Sequence, residues 1–126
     1  MRKEKFVAVA LAAALALASG SAMAAGDAAK GKTVFKKCKA CHTSNKGGKN
    51  RVGPNLFGIV GAKAGAVKGY RYSKAMKASG LTWDEATLDK YLKKPKKLVK
   101  KTKMRFPGLK KDSQRADIIA YLKTLK

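Results

Sequence analysis

Cys38-Lys39-Ala40-Cys41-His42 stands in a 126-residue chain that has no other cysteine and no other histidine. The spacing is C-x-x-C-H, the attachment signature of a c-type haem. Thiols three positions apart share one face of a helical turn, and the next imidazole lies beside them. One turn can therefore tether an edge of a porphyrin and offer a ligand to its iron. A C-x-x-C pair also serves as half of a zinc site or as a dithiol redox centre. Here a tetrahedral zinc site would lack a fourth soft ligand. No βαβ pattern rich in β-branched runs accompanies the pair, as a thioredoxin-like site would need. Haem attachment is the reading these five residues support best.

Upstream, Arg2, Lys3 and Lys5 precede an apolar run from Phe6 to Ala18, and Ala22-Met23-Ala24 supplies a small-x-small cleavage site. Residues 1–24 read as a cleavable secretory signal peptide, because the run is shorter than the roughly 20 residues of a membrane span. The exported chain, 25–126, is long enough for one small domain. Residues 1–24 hold three cations and one carboxylate of the chain's 30 and seven, leaving 27 Lys and Arg against six Asp and Glu. Such a field favours fast, salt-sensitive association with an acidic surface and carries no information about fold. A nucleic-acid-binding module is disfavoured, since no matching motif appears and the chain is addressed out of the cytoplasm. Large apolar residues are sparse and separated by lysines, so a buried porphyrin is expected to form part of the core.

The remaining sequence reads as helices joined by loops, an all-α domain with no credible sheet. Residues 27–37 form a helix with Asp27 as N-cap, Val34 and Phe35 facing inward, and Lys36 and Lys37 near its C-terminal end. Residues 43–51 are a polar loop, and Pro54 beyond it offers a carbonyl but no donor. That carbonyl could orient His42, although on sequence alone Pro54 reads as an ordinary turn proline. Gly58, Gly61, Gly65 and Gly69 punctuate a long loop. Ser73 caps a short helix reaching Ala78 or Ser79 and closed by Gly80. Thr82-Trp83-Asp84-Glu85 has capping-box spacing, with Thr82 as N-cap, and starts a helix that puts Leu88, Tyr91 and Leu92 on one side. Pro95 stops or restarts it. A last helix begins near Asp112 or Ser113, its buried face marked by Ile118, Tyr121, Leu122 and Leu125.

Taken together, Gly31, Phe35, the C-x-x-C-H motif, Gly53-Pro54-Asn55-Leu56, Gly69-Tyr70-Arg71-Tyr72-Ser73, Trp83, Tyr91-Leu92, Thr102-Lys103-Met104 and residues 115–122 resemble class I cytochrome c over nearly all of 26–126. The resemblance implies the cytochrome c fold, small helices and loops wrapped around one covalently bound haem c. It implies Cys38 and Cys41 as thioether anchors, His42 and Met104 as axial ligands of the iron, and Pro54 as the acceptor orienting His42. Tyr72 and Trp83 would hydrogen-bond a buried propionate, Tyr91 would lie beside the Met104 sulfur, and Gly31, Phe35 and Tyr121 would mark the crossing of the first and last helices. On the residues alone Met104 is less secure, because Met76 is the other methionine after processing and methionines more often fill cores. Two departures from the family pattern are Ala62, where many relatives carry an arginine near a propionate, and Met76, where many have an asparagine.

The same resemblance implies a monomeric electron carrier of the periplasm rather than an enzyme. An iron held by both His42 and Met104 has no open position, which suppresses substrate chemistry and leaves outer-sphere electron transfer. The expected partners are acidic-surfaced redox proteins, such as a quinol-cytochrome c reductase and a terminal oxidase, reductase or photosynthetic reaction centre. Contact with an anionic membrane would be peripheral at most. Lys36, Lys39, Lys96, Lys97, Lys100, Lys101 and Lys103 are the cations expected near the exposed haem edge. The alternative is a haem enzyme or gas sensor with a labile sixth ligand.

Overall fold

Asp27 opens the first helix of the computed structural model, which describes residues 25–126; the expected signal peptide, 1–24, lies outside the described residues. Its side chain accepts from the backbone N–H groups of Ala29 and Lys30, and α1 runs from Ala28–Val34. The helix then tightens into a 3-10 turn over Phe35–Lys37 instead of continuing as α-helix. Three further short helices follow: α2 (Lys74–Ala78), α3 (Glu85–Lys93) and α4 (Pro95–Leu98). The C-terminal α5 covers Asp112–Lys123. Among the described residues there is no strand, and one isolated bridge joins Lys63 to Thr82.

The frame of the domain is the crossing of α1 and α5. Gly31 is buried at that crossing, where a Cβ would sit 1.9 Å from the carbonyl oxygen of Asp117. Only glycine lets the two backbones approach so closely. Phe35, 1% exposed, packs its ring 5.2 Å from that of Tyr121, and Ile118, Ile119 and Leu122 complete the contact. Each such side chain contributes roughly 1.5–3 kcal/mol by leaving water. Asp117 also accepts from the Asp27 N–H at 2.8 Å, tying the start of α1 to α5.

Ser73 caps α2 by accepting from the Met76 N–H, and Gly80 follows with φ +65°, in the left-handed conformation that ends many helices. In α3 the expected trio Leu88, Tyr91 and Leu92 is buried. The cap of α3 is not Thr82, however. Asp84 takes that role, accepting from the Thr87 N–H at 2.7 Å. The reason is tertiary: Trp83 donates to Ala62 O and accepts from Gly61 N, both at 2.8 Å. Residues 81–83 are thereby held extended against 61–64, and the helix cannot start before Asp84. Pro95 restarts the chain as α4, in the first-turn position where its missing N–H is tolerated.

The buried face of α5 is Arg115, Ile118, Ile119 and Leu122 rather than the expected Ile118, Tyr121, Leu122 and Leu125: Tyr121 is half-buried, and Leu125 lies beyond the helix end at Lys123 while still packing against the core. Arg115 is 2% exposed, the one buried charged side chain among the described residues. Its Nε donates to Asp89 on α3 at 2.7 Å, its Nη2 to Asp112, and its Nη1 to the carbonyls of Leu109 at 2.7 Å and Lys110 at 3.0 Å. The two carboxylates hold the guanidinium charged against the effect of burial. Arg115 thus fastens α3, α5 and the segment leading back from Met104.

Candidate functional site

Continuing the 3-10 turn, Cys38 N–H donates to Phe35 O at 2.8 Å, and Cys41 and His42 N–H both donate to Cys38 O, at 3.1 and 2.9 Å. This single turn gathers the two thiols and the imidazole as the motif requires. Both cysteines are unpaired and half-buried. Burial, with Cys41 alongside, pushes the Cys38 thiol up to about 11, so it stays protonated at neutral pH. Burial likewise lowers the pKa of His42 and favours the neutral ring. His42 Nδ1 lies 2.7 Å from Pro54 O, and because a carbonyl only accepts, Nδ1 must carry the proton. Nε2 is left with its lone pair, which is the form of imidazole that ligates a metal.

The loop behind His42 is built to hold this ring. A Cβ on Gly53 would lie 2.3 Å from His42 Cε1, so glycine is the residue that fits there. Gly53 N–H donates to Cys41 O at 2.8 Å, tying the loop back to the motif. Asn55 Nδ2 donates to Thr43 Oγ1 at 2.8 Å and to Asn45 O at 3.0 Å, while its N–H reaches Asn50 Oδ1 at 2.9 Å. Sequence reading assigned no role to Gly53 or Asn55, although Gly-Pro-Asn following a histidine motif was the available signal.

Met104 sits in the loop between α4 and α5, half-buried and packed against the core. Its N–H donates to Thr102 Oγ1 at 3.3 Å, and that hydroxyl is 2.7 Å from the Tyr91 hydroxyl. Tyr91 therefore reaches the methionine segment through Thr102, a link the sequence did not disclose. The Tyr91 ring lies 4.9 Å from Trp83. Met76, the other methionine, is buried on α2. Tyr72 OH accepts from Val67 N–H at 3.0 Å and keeps its own proton to donate. Lys103 Nζ donates to Arg71 O at 2.7 Å and lies 5.8 Å above the Tyr70 ring, while Tyr70 OH donates to Val52 O at 2.6 Å. Residues 70–72 thus span from the His42 loop to the Met104 loop.

The motif turn offers two thiols and an imidazole whose Nε2 is free, groups whose chemistry fits haem c. Among the described residues there is no group of three or more His, Cys, Asp or Glu side chains placed to hold a metal ion. A cleft of about 720 Å³ is lined by Lys94–Lys97, Arg105, Phe106 and Pro107, without a carboxylate. All six acidic side chains in 25–126 are engaged internally. Asp27, Asp84 and Asp117 accept from backbone N–H groups, Asp89 and Asp112 hold Arg115, and Glu85 pairs with Lys123 at 3.0 Å. With only six carboxylates against 27 cations, most of the basic surface faces outward without a counter-charge.

The Cytochrome c family model matches residues 28–126. Cytochrome c2 of Rhodomicrobium vannielii is 54% identical over 120 residues, covering 95% of this chain and 96% of the relative. Cytochrome c-550 of Nitrobacter winogradskyi is 53% identical over 97 residues, covering 77% and 89%. The solved structure of cytochrome cH from Methylobacterium extorquens superposes with a TM-score of 0.75 at 56% identity, covering 79% of this chain and 99% of that one.

Proposed function

The chain belongs to the cytochrome c family, and from that footing we propose that Cys38 and Cys41 would anchor its haem and that His42 Nε2 and the Met104 sulfur would be the ligands of its iron. Family membership makes it a monohaem electron carrier with one covalently attached haem c. When bound, the haem supplies the one-electron couple. What this chain contributes is orientation and exclusion. Pro54 O and Gly53 fix the His42 ring, Thr102 and Tyr91 fix the segment carrying Met104, and Trp83, Tyr91 and Leu92 form a dry wall. Tyr72 keeps a proton to donate toward a propionate. A thioether ligand and a buried site both favour the reduced iron and so raise the potential.

The observation that carries this reading is the His42–Pro54 hydrogen bond on a C-x-x-C-H turn, which protonates Nδ1 and leaves Nε2 as the donor. Redox partners with acidic surfaces, of the quinol-cytochrome c reductase, terminal oxidase or reaction-centre kind, suit the exposed Lys36, Lys39, Lys96, Lys97, Lys100, Lys101 and Lys103. We place the carrier in the periplasm after removal of residues 1–24, acting as a monomer and not as an enzyme. The test is the mass and carbon monoxide reactivity of protein purified from the periplasm. A mass equal to residues 25–126 plus one haem, with pigment that resists acid acetone and ignores carbon monoxide, is expected. Pigment that extracts freely, or a resting state that binds carbon monoxide readily, would favour a haem enzyme or gas sensor instead.

A further inference from the structure

Pro54 C=O and Asn55 N–H belong to one peptide group, and both ends of it are engaged. The carbonyl accepts from His42 Nδ1 at 2.7 Å, and the N–H donates to Asn50 Oδ1 at 2.9 Å. Asn50 Nδ2 in turn donates to Lys68 O at 3.1 Å. A backbone N–H only donates and a carbonyl only accepts, so these partners fix which end of the Asn50 amide carries the oxygen. The three bonds therefore run head to tail, from the His42 ring through the 54–55 peptide and the Asn50 amide to Lys68.

Hydrogen bonds in such a series polarise one another, by about 10–30% per bond. Donation by the Asn55 N–H increases the double-bond character of its peptide C–N bond and puts more negative charge on Pro54 O. A stronger acceptor there draws the Nδ1 proton away from the ring and makes Nε2 more basic. Asn50 is not needed merely to hold the loop in shape. Asn55 Nδ2 already fastens it to Thr43 and Asn45, and Gly53 N–H to Cys41 O. What Asn50 adds is an acceptor in line with the His42 bond. We propose that Asn50 is a positioning residue for the redox couple: through the 54–55 peptide its Oδ1 strengthens the His42–Pro54 bond, makes Nε2 a stronger donor and lowers the reduction potential. The proposal deepens the reading of His42 as an iron ligand and rests on it.

The test uses haem-loaded Asn50→Leu, which is close in size and removes both amide ends, and Asn50→Asp, which keeps an oxygen for Asn55 N–H and makes it anionic at pH 7. Spectroelectrochemical titration reads the potential, and proton NMR of the reduced protein reads the His42 Nδ1–H resonance. Asn50→Leu should raise the equilibrium constant for reduction about two- to threefold, roughly 20–30 mV at 59 mV per tenfold for one electron, and move the resonance upfield. Asn50→Asp should lower that constant by at least the same factor and move the resonance downfield. Both variants lose the bond to Lys68 O, so loosening of the loop would shift them in the same direction, and shifts of one sign would overturn the proposal. A lower guanidinium midpoint with potential and resonance unchanged would reduce Asn50 to a tie between loops. A lowered potential in Asn50→Asp without a moved resonance would show a bare charge effect and count equally against the relay. Asn50→Asp decides alone if Asn50→Leu does not fold. Wild-type His42 ring C–H resonances that lack the large upfield shift of an axial ligand would sink the ligation reading, and the role of Asn50 with it.

Discussion

Replacing Gly31 by alanine should separate the two helices on which the domain is framed. The added Cβ would stand 1.9 Å from Asp117 O, 2.6 Å from Asp117 C and 2.7 Å from Tyr121 Cβ, where ordinary contact begins near 3.4 Å. The nearest obstacle is backbone, so no side-chain rotation relieves it, and α1 must shift from α5 by about 1.5 Å. That shift loosens the Phe35–Tyr121 contact and the Asp27–Asp117 tie together. Overpacking of this kind costs roughly 1–3 kcal/mol, with backbone obstacles at the upper end. The gain in helix propensity from glycine to alanine offsets about 1 kcal/mol. A net loss of about 2 kcal/mol remains. With a guanidinium slope of about 4 kcal/mol/M for a domain of this size, the midpoint should fall by about 0.5 M. Denaturation followed by far-ultraviolet circular dichroism measures it. A Gly31→Ala protein as stable as wild type would mean that the close crossing does not frame the fold.

Arg115→Met should lower stability by about 3 kcal/mol, because it strands the Leu109 and Lys110 carbonyls and leaves Asp89 without its partner; a loss under 1 kcal/mol in the same denaturation assay would contradict the clasp. Gly53→Ala should displace the His42 ring and reduce the yield of covalently loaded protein from periplasmic expression, and an unchanged yield with an unchanged spectrum would show that the ring is not confined there. Asp84→Ala should lower the denaturation midpoint at pH 7. The capping bonds from Thr87 hold this carboxyl below its usual range, so its contribution is present above the ordinary carboxylate pKa and is lost as pH falls through the depressed value. Wild type and variant should then converge in acid, and a gap that widens there would refute the cap. Electron exchange with an acidic-surfaced partner should slow as ionic strength rises, since the 27 cations of residues 25–126 include few paired with carboxylates; salt-independent rates would rule out steering.

The parts of this molecule visible in its sequence are those that local chemistry dictates. The C-x-x-C-H spacing needs only one turn, and the caps Asp27 and Ser73 announce their helices because their side chains satisfy donors two or three residues away. Gly80 closes α2 on equally local grounds. The misreading at Thr82 has a long-range cause, the pairing of Trp83 with Gly61 and Ala62 across some twenty residues. Arg115 escaped notice because arginine is ordinarily a surface residue and its four partners come from three separate segments. The hydrogen bond between His42 and Pro54 spans twelve positions, and without the family resemblance Pro54 reads as a turn.

A thioether on the iron would turn an attached pigment into a closed carrier, so the proposed ligation by Met104 is the decisive feature of the site. The measurement is the absorption spectrum of the oxidised protein at neutral pH, beside that of Met104→Ala. A weak sulfur-to-iron charge-transfer band is expected in the wild type and should vanish in the variant. A wild-type spectrum without that band, or a band that survives loss of Met104, would contradict the proposed ligation.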